Sequence, residues 1–145
     1  MKHVALFILL ICLTFAGRAQ SITVLDYKAK TASNAAERTA ILDAFRDQLK
    51  KEWKLDFIFT VKYLNVAGNY ACFMGSTERK DGKPMEFPND SYDCCHAEAL
   101  LKKVNGRWTV LAGNAFSTDV WWDGINKQYP SVPVALFPAH EGWVR

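Results

Sequence analysis

The chain has 145 residues, half of them hydrophobic, and a formal net charge of +3. No basic run is longer than Lys102-Lys103, which with so little net charge does not favour nucleic acid as a partner. That length and composition suit one globular domain with one core.

Met1 to Ala19 reads as a secretory signal. Lys2 is followed by an uncharged apolar run from Val4 to Ala16, then by Gly17-Arg18-Ala19, small residues where a signal peptidase reads. The run is too short to cross a bilayer, which takes about 20 apolar residues, so stable membrane insertion is not expected. Residues 20–145 are then one exported domain, periplasmic or extracellular. Removing Lys2 and Arg18 leaves sixteen basic residues against fifteen acidic ones. Three cysteines remain, Cys72, Cys94 and Cys95, and an odd number leaves at least one unpaired within the monomer.

Ile22-Thr23-Val24-Leu25 is an extended lead-in or edge segment. A helix is predicted from Asn34 to about Trp53, with Asn34 and Glu37 as a capping box. At 100° per residue, Ile41, Leu42, Phe45, Leu49 and Trp53 fall in one stripe about 120° wide. Lys50, Lys51 and Lys54 complement the negative end of the helix dipole. From Leu55 the period changes to two: Phe57, Phe59, Val61 and Tyr63 share one face, Ile58, Thr60 and Leu64 the other. Ala67-Gly68-Asn69 turns the chain into a return strand, Tyr70 to Thr77, in which Gly75 suggests a bulge or bend.

Arg79 to Asp93 is rich in turn formers and too long for a plain hairpin loop, a length that goes with function or mobility. A third strand from Ala97 to Val104, the hairpin turn Asn105-Gly106 and a fourth strand from Arg107 to Phe116 follow. Ser117-Thr118-Asp119 reads as the start of a short helix reaching about Gln128. Val132 to Pro138 is too proline-rich for a helix or central strand and is expected to lie extended across the domain.

These elements make an α+β fold: one long N-terminal helix packed on a curved four-stranded antiparallel sheet, with a short C-terminal helix. The order over residues 34–116 resembles the cystatin-like folds, including the nuclear transport factor 2-like cone. The segment Phe116-Ser117-Thr118-Asp119-Val120-Trp121-Trp122 is similar to one in small exported bacterial proteins with no assigned function. The resemblance implies fold and location; the fold hosts enzymes, carriers and inhibitors alike.

Arg38 falls inside the apolar stripe, where a guanidinium at the mouth of a cone suits a carboxylate or phosphate; equally, its stem packs and its head reaches water or an acid. Asp119, Trp121 and Trp122 combine aromatic faces with a carboxylate, as a ligand platform does, or dock the short helix on the sheet. Cys94-Cys95-His96 lacks the spacing of a zinc site. With Arg79 opposite His96, Cys72 faces Lys103 and lies about 25 Å from Cys95, beyond disulfide reach, so a vicinal Cys94–Cys95 bridge with Cys72 free is the favoured pairing. A Cys72 bridge to either neighbour would need a different sheet order or a folded-back loop.

No cofactor and no metal are indicated. Asp43, Asp56, His96, Glu98, Asp119 and His140 are acid/base candidates that no motif joins. The expected function is binding a small ligand or a partner's segment at the open end of the cone. The alternatives are a small hydrolase or isomerase with an acid/base residue inside the cone, or a surface-acting inhibitor or immunity-type protein. A homodimer is compatible with a sheet that leaves one face bare.

Overall fold

A computed structural model describes residues 22–118 and 123–138. The sheet has five antiparallel strands in sequence order: β1 (Val24–Asp26), β2 (Phe57–Ala67), β3 (Tyr70–Arg79), β4 (Tyr92–Val104) and β5 (Arg107–Ser117). The helix α1 (Ala35–Trp53) lies between β1 and β2 in the chain. The four-stranded, helix-first expectation is therefore corrected: the lead-in pairs with β2, Val24 opposite Ala67, and becomes an edge strand.

The helix buries the predicted stripe, with Ile41, Leu42, Phe45 and Leu49 all buried and Trp53 partly so. Its start is not the predicted capping box. Asn34 is buried, and its side chain accepts from the Thr31 N–H at 2.9 Å and donates to the Ala29 carbonyl at 2.9 Å. Glu37 reaches away to the Tyr27 hydroxyl and Lys103 Nζ. Asn34 thus ties the preceding turn together, the local bonding that competes with capping in this residue type. The helix ends at Lys54 in the left-handed conformation, φ 58°, where its N–H bonds the Lys50 carbonyl.

The β2 faces change midway. Val61 faces Gly75 and Tyr63 faces Met74, so Lys62 is an extra residue that inverts the alternation after it. Phe57, Phe59 and Val61 share one face, as predicted, and it packs toward the helix, but Leu64 then turns into that core and Tyr63 joins the opposite face. The suspected irregularity at Gly75 lies in the partner strand, across from it. Between β3 and β4, Ser76 faces His96 and Cys72 faces Leu100, three residues from the expected register.

The short helix α2 (Ile125–Gln128) starts later than predicted, after Gly124, φ 68°. The predicted start at Asp119 lies outside the described residues. Val132 to Pro138 crosses the sheet as expected, with one 3-10 turn at Val134–Leu136. Ile125, Val132, Leu136 and Phe137 pack there on Ala67, Cys72 and Leu100, covering the face that the sequence left bare. The sheet therefore lies between two cores, and an uncovered face no longer argues for a dimer. Among the described residues no helix is long and apolar enough to cross a membrane.

Candidate functional site

The interior between helix and sheet is filled. Phe45 stacks on Phe59 at 5.4 Å and meets Phe73 edge-on at 5.7 Å, with Phe57 and Trp108 buried in the same cluster. These side chains fill the centre of that layer, and the clefts described below open around it.

One rim is built by residues 80–91, the long loop. Its anchor is Phe87, whose ring stacks on Tyr92 at 5.2 Å and 9° and meets Trp53 at 5.9 Å and 85° and Phe116 at 5.2 Å. Aromatic contacts of this kind are worth about 0.5–1.5 kcal/mol each beyond the area they bury. Tyr92 faces Ser117 across the sheet, so the loop closes over the C-terminal end of α1 and the end of β5. The length of the loop points to function or mobility in the sequence, and a half-buried aromatic, Phe87, fixes it to the core. Phe87, Trp53 and Tyr92 are site residues that sequence reasoning misses; a single bulky aromatic among Pro84, Pro88, Asn89 and Asp90 was the available signal.

Behind this loop lies a cleft of about 490 Å³. Pro84, Met85 and Phe87 form one wall, Cys94 and Cys95 another, and Glu78, Arg79 and Lys83 bring charge to it. This is the size and the mix, mostly apolar with a few polar groups, of small-molecule sites. Arg79 Nε and Nη2 hold Asp81 at 2.9 and 2.5 Å, and Asp81 also accepts the Lys83 N–H. That fork holds the Asp81 carboxyl below its ordinary pKa, by hydrogen bonding from Arg79 first. The loop entry is thus pinned by charge and its exit by aromatics.

Cys94 and Cys95 have Cα atoms 3.1 Å apart and their sulfurs are in close contact. Cys72 is buried against the opposite core, and Leu100, its neighbour across the sheet, is five residues from Cys95, about 17 Å at ~3.3 Å per residue. The corrected register keeps Cys72 out of disulfide range. Burial, and then the nearby Glu98 carboxylate, push the Cys72 thiol far above its ordinary pKa, so it is inert.

Arg38 is elsewhere. Its Nε donates to the Tyr27 carbonyl at 2.9 Å and Nη2 to the Lys28 carbonyl at 3.2 Å, holding the segment after β1 against the helix. Fifteen residues of helix separate it from Trp53, about 22 Å at 1.5 Å per residue, so the structure does not bring Arg38 to the loop cleft. The predicted ligand residues Asp119, Trp121 and Trp122 lie outside the described residues, as does His140.

His96 and Glu98, two residues apart on β4, project together from the face opposite the helix. His96 Nε2 lies 3.2 Å from Glu98 Oε1; the carboxylate is 1% exposed while the imidazole side chain is 36% exposed. Lys62, Tyr63, Met74 and Pro138 complete a cleft of about 300 Å³. His96 lines this cleft while Cys94 and Cys95 line the loop cleft, so the Cys-Cys-His run is not one cluster. Tyr63 donates to the Leu136 carbonyl at 2.7 Å, and burial raises its pKa to about 12, so it stays protonated. A further concavity, about 560 Å³ between α1 and β5, sets the polar helix residues Asp47, Gln48, Lys51 and Glu52 against Trp108 and Val110.

No three His, Cys, Asp or Glu side chains group to hold a metal among the described residues. Comparison with family models, curated proteins and solved structures finds no match for this chain.

Proposed function

We propose that this is an exported binding protein of cystatin-like or nuclear transport factor 2-like build, which holds a small ligand or a partner's segment in the cleft behind residues 80–91. The observation that carries the reading is that cleft: apolar walls, three charged groups and a loop anchored by Phe87. A filled interior favours a rim site over the alternative of an acid/base residue inside the cone. In the oxidising compartment that the signal sequence implies, Cys94 and Cys95 form the vicinal bridge. Asp119, Trp121 and Trp122 remain proposed as part of the ligand platform, and Arg38 is proposed as a structural clamp instead.

The test is a native mass spectrum of the mature chain from its own host's exported fraction, without reductant. A discrete bound mass that Phe87→Ala removes is the expected result. A bare chain, or a bound mass indifferent to Phe87→Ala, overturns the reading.

A second reading has one specific support. His96 beside the buried Glu98 is an imidazole oriented by a carboxylate, the pairing that general-base catalysis uses. It predicts a hydrolytic activity that His96→Asn and Glu98→Gln both abolish with the fold intact. Activity indifferent to both substitutions would remove it.

A further inference from the structure

Three sulfur-bearing residues, Met85, Cys94 and Cys95, line the loop cleft. We propose that this cleft, in its reduced state, is a binding site for a soft monovalent cation of the Cu(I) class, held by the Cys94 and Cys95 thiolates with Met85 as the third donor. The inference rests on the reading of this cleft as a binding site and names the ion that its reduced form takes, beside whatever the bridged form holds.

The donor set selects the ion. Thiolate and thioether ligands favour Cu(I), whereas zinc in structural sites takes four thiolate, imidazole or carboxylate ligands. These are not available in that number: no three His, Cys, Asp or Glu group together among the described residues, and His96 lines a different cleft. Hard cations need a cage of oxygens, and Glu78 alone brings a carboxylate to the lining. Two thiolates around one monovalent cation leave a single negative charge beside the Lys83 cation; Arg79 is already paired with Asp81. Phe87 and Pro84 keep the wall apolar, which protects a soft ion from water and oxidant.

The balance of the chemistry makes the bridge and the metal mutually exclusive. A dithiol reductant gives two electrons and two protons to the Cys94–Cys95 bridge and is itself oxidised to a disulfide. The two thiols then lose their protons to solvent as they bind, and the cation keeps its oxidation state. A disulfide oxidant takes two electrons from the two thiolates and two protons from solvent and leaves as two thiols, and the re-formed bridge releases the ion. Cys72, buried in the other core with a raised pKa, takes no part.

The experiment titrates Cu(I) alone into the reduced mature chain under anaerobic conditions, against a chromophoric Cu(I) chelator. One ion per chain should be withheld from the chelator by the wild type and by Cys72→Ala. The Cys94→Ser, Cys95→Ser double variant should lose the site, and Met85→Leu should weaken it at least ~10-fold, the lower end of what even outer-sphere changes cost a metal site. Circular dichroism of each variant checks its fold. Failure of the reduced wild type to compete, undiminished uptake by the double variant, or loss on Cys72→Ala each overturns the proposal. If the reduced chain takes no Cu(I) while the native spectrum still carries a Phe87-dependent mass, the metal site falls and the binding cleft stands. If both measurements fail, both readings fall.

Discussion

Gly75 has no room for a side chain. A Cβ built there lies 2.1 Å from the Thr60 carbonyl oxygen and 3.1 Å from the Phe73 ring, because the β2 bulge brings the two backbones together. The obstructing atom is main chain, so relief would require the sheet to shift. Gly75→Ala should destabilise by about 3 kcal/mol, the upper range for overpacking, read from the midpoint of a urea transition. Glu37 gives a pH signature. Its carboxylate accepts from Lys103 Nζ at 2.7 Å and from the Tyr27 hydroxyl, and the Lys103 bond, opposed by burial, lowers its pKa. A depressed carboxylate stabilises the fold above its unfolded pKa and loses that contribution as pH falls through the folded one. The side chain is 31% exposed, which caps the contribution at about 1 kcal/mol. Wild type should therefore exceed Glu37→Gln in stability at neutral pH, and the difference should vanish under acid conditions below the usual glutamate range. A constant gap across pH would show that the ion pair is not its source.

Elements are joined by polar contacts as well as by cores. Tyr63, turned outward by the Lys62 bulge, donates to the Leu136 carbonyl and accepts from Asn65 Nδ2 at 2.7 Å, which fixes the 3-10 turn on β2. Tyr70 and Ser131 share a second bond, 2.7 Å long, and Tyr129 donates to the Leu111 carbonyl at 3.1 Å. Three tyrosines thus hold the C-terminal cover that supplies the second core. Removing one hydroxyl leaves a buried carbonyl short of its donor. Tyr63→Phe should cost about 1–2 kcal/mol and raise amide exchange first in residues 132–138. Faster exchange in α1 before the cover would contradict this. Arg38 works similarly at the other end, where its two main-chain bonds dock β1 on the helix.

For the whole molecule, the sheet separates two kinds of sulfur chemistry. Cys72 lies in the core between sheet and C-terminal cover, whereas Cys94 and Cys95 meet the solvent-facing cleft on the rim. In the unreduced protein, a thiol reagent should label nothing under native conditions and one cysteine, Cys72, after denaturation. Labelling of three cysteines in denaturant would mean that the vicinal bridge is absent. The same sheet keeps the His96–Glu98 pair apart from the loop cleft, so variants at one site should leave ligand binding or activity at the other unchanged.

The sequence by itself determined what is local. The 3.6-residue stripe of α1, the switch to period two at β2, and the turns at Gly68-Asn69 and Asn105-Gly106 all stand where periodicity and turn chemistry put them, since each depends on near neighbours. The close placement of Cys94 and Cys95 was likewise legible, because the strand distances that exclude Cys72 survive a three-residue error in register. Tertiary structure decided the rest. One extra residue, Lys62, exchanged the faces of Tyr63 and Leu64, because side-chain direction after a bulge depends on a partner strand that periodicity does not see. Asn34 took the preceding turn over the helix end, and Arg38 took main-chain carbonyls, because the competing partners came from residues folded back against the helix. The loop cleft needed Phe87 to find Trp53, Tyr92 and Phe116, four residues from four segments that only the folded chain brings together.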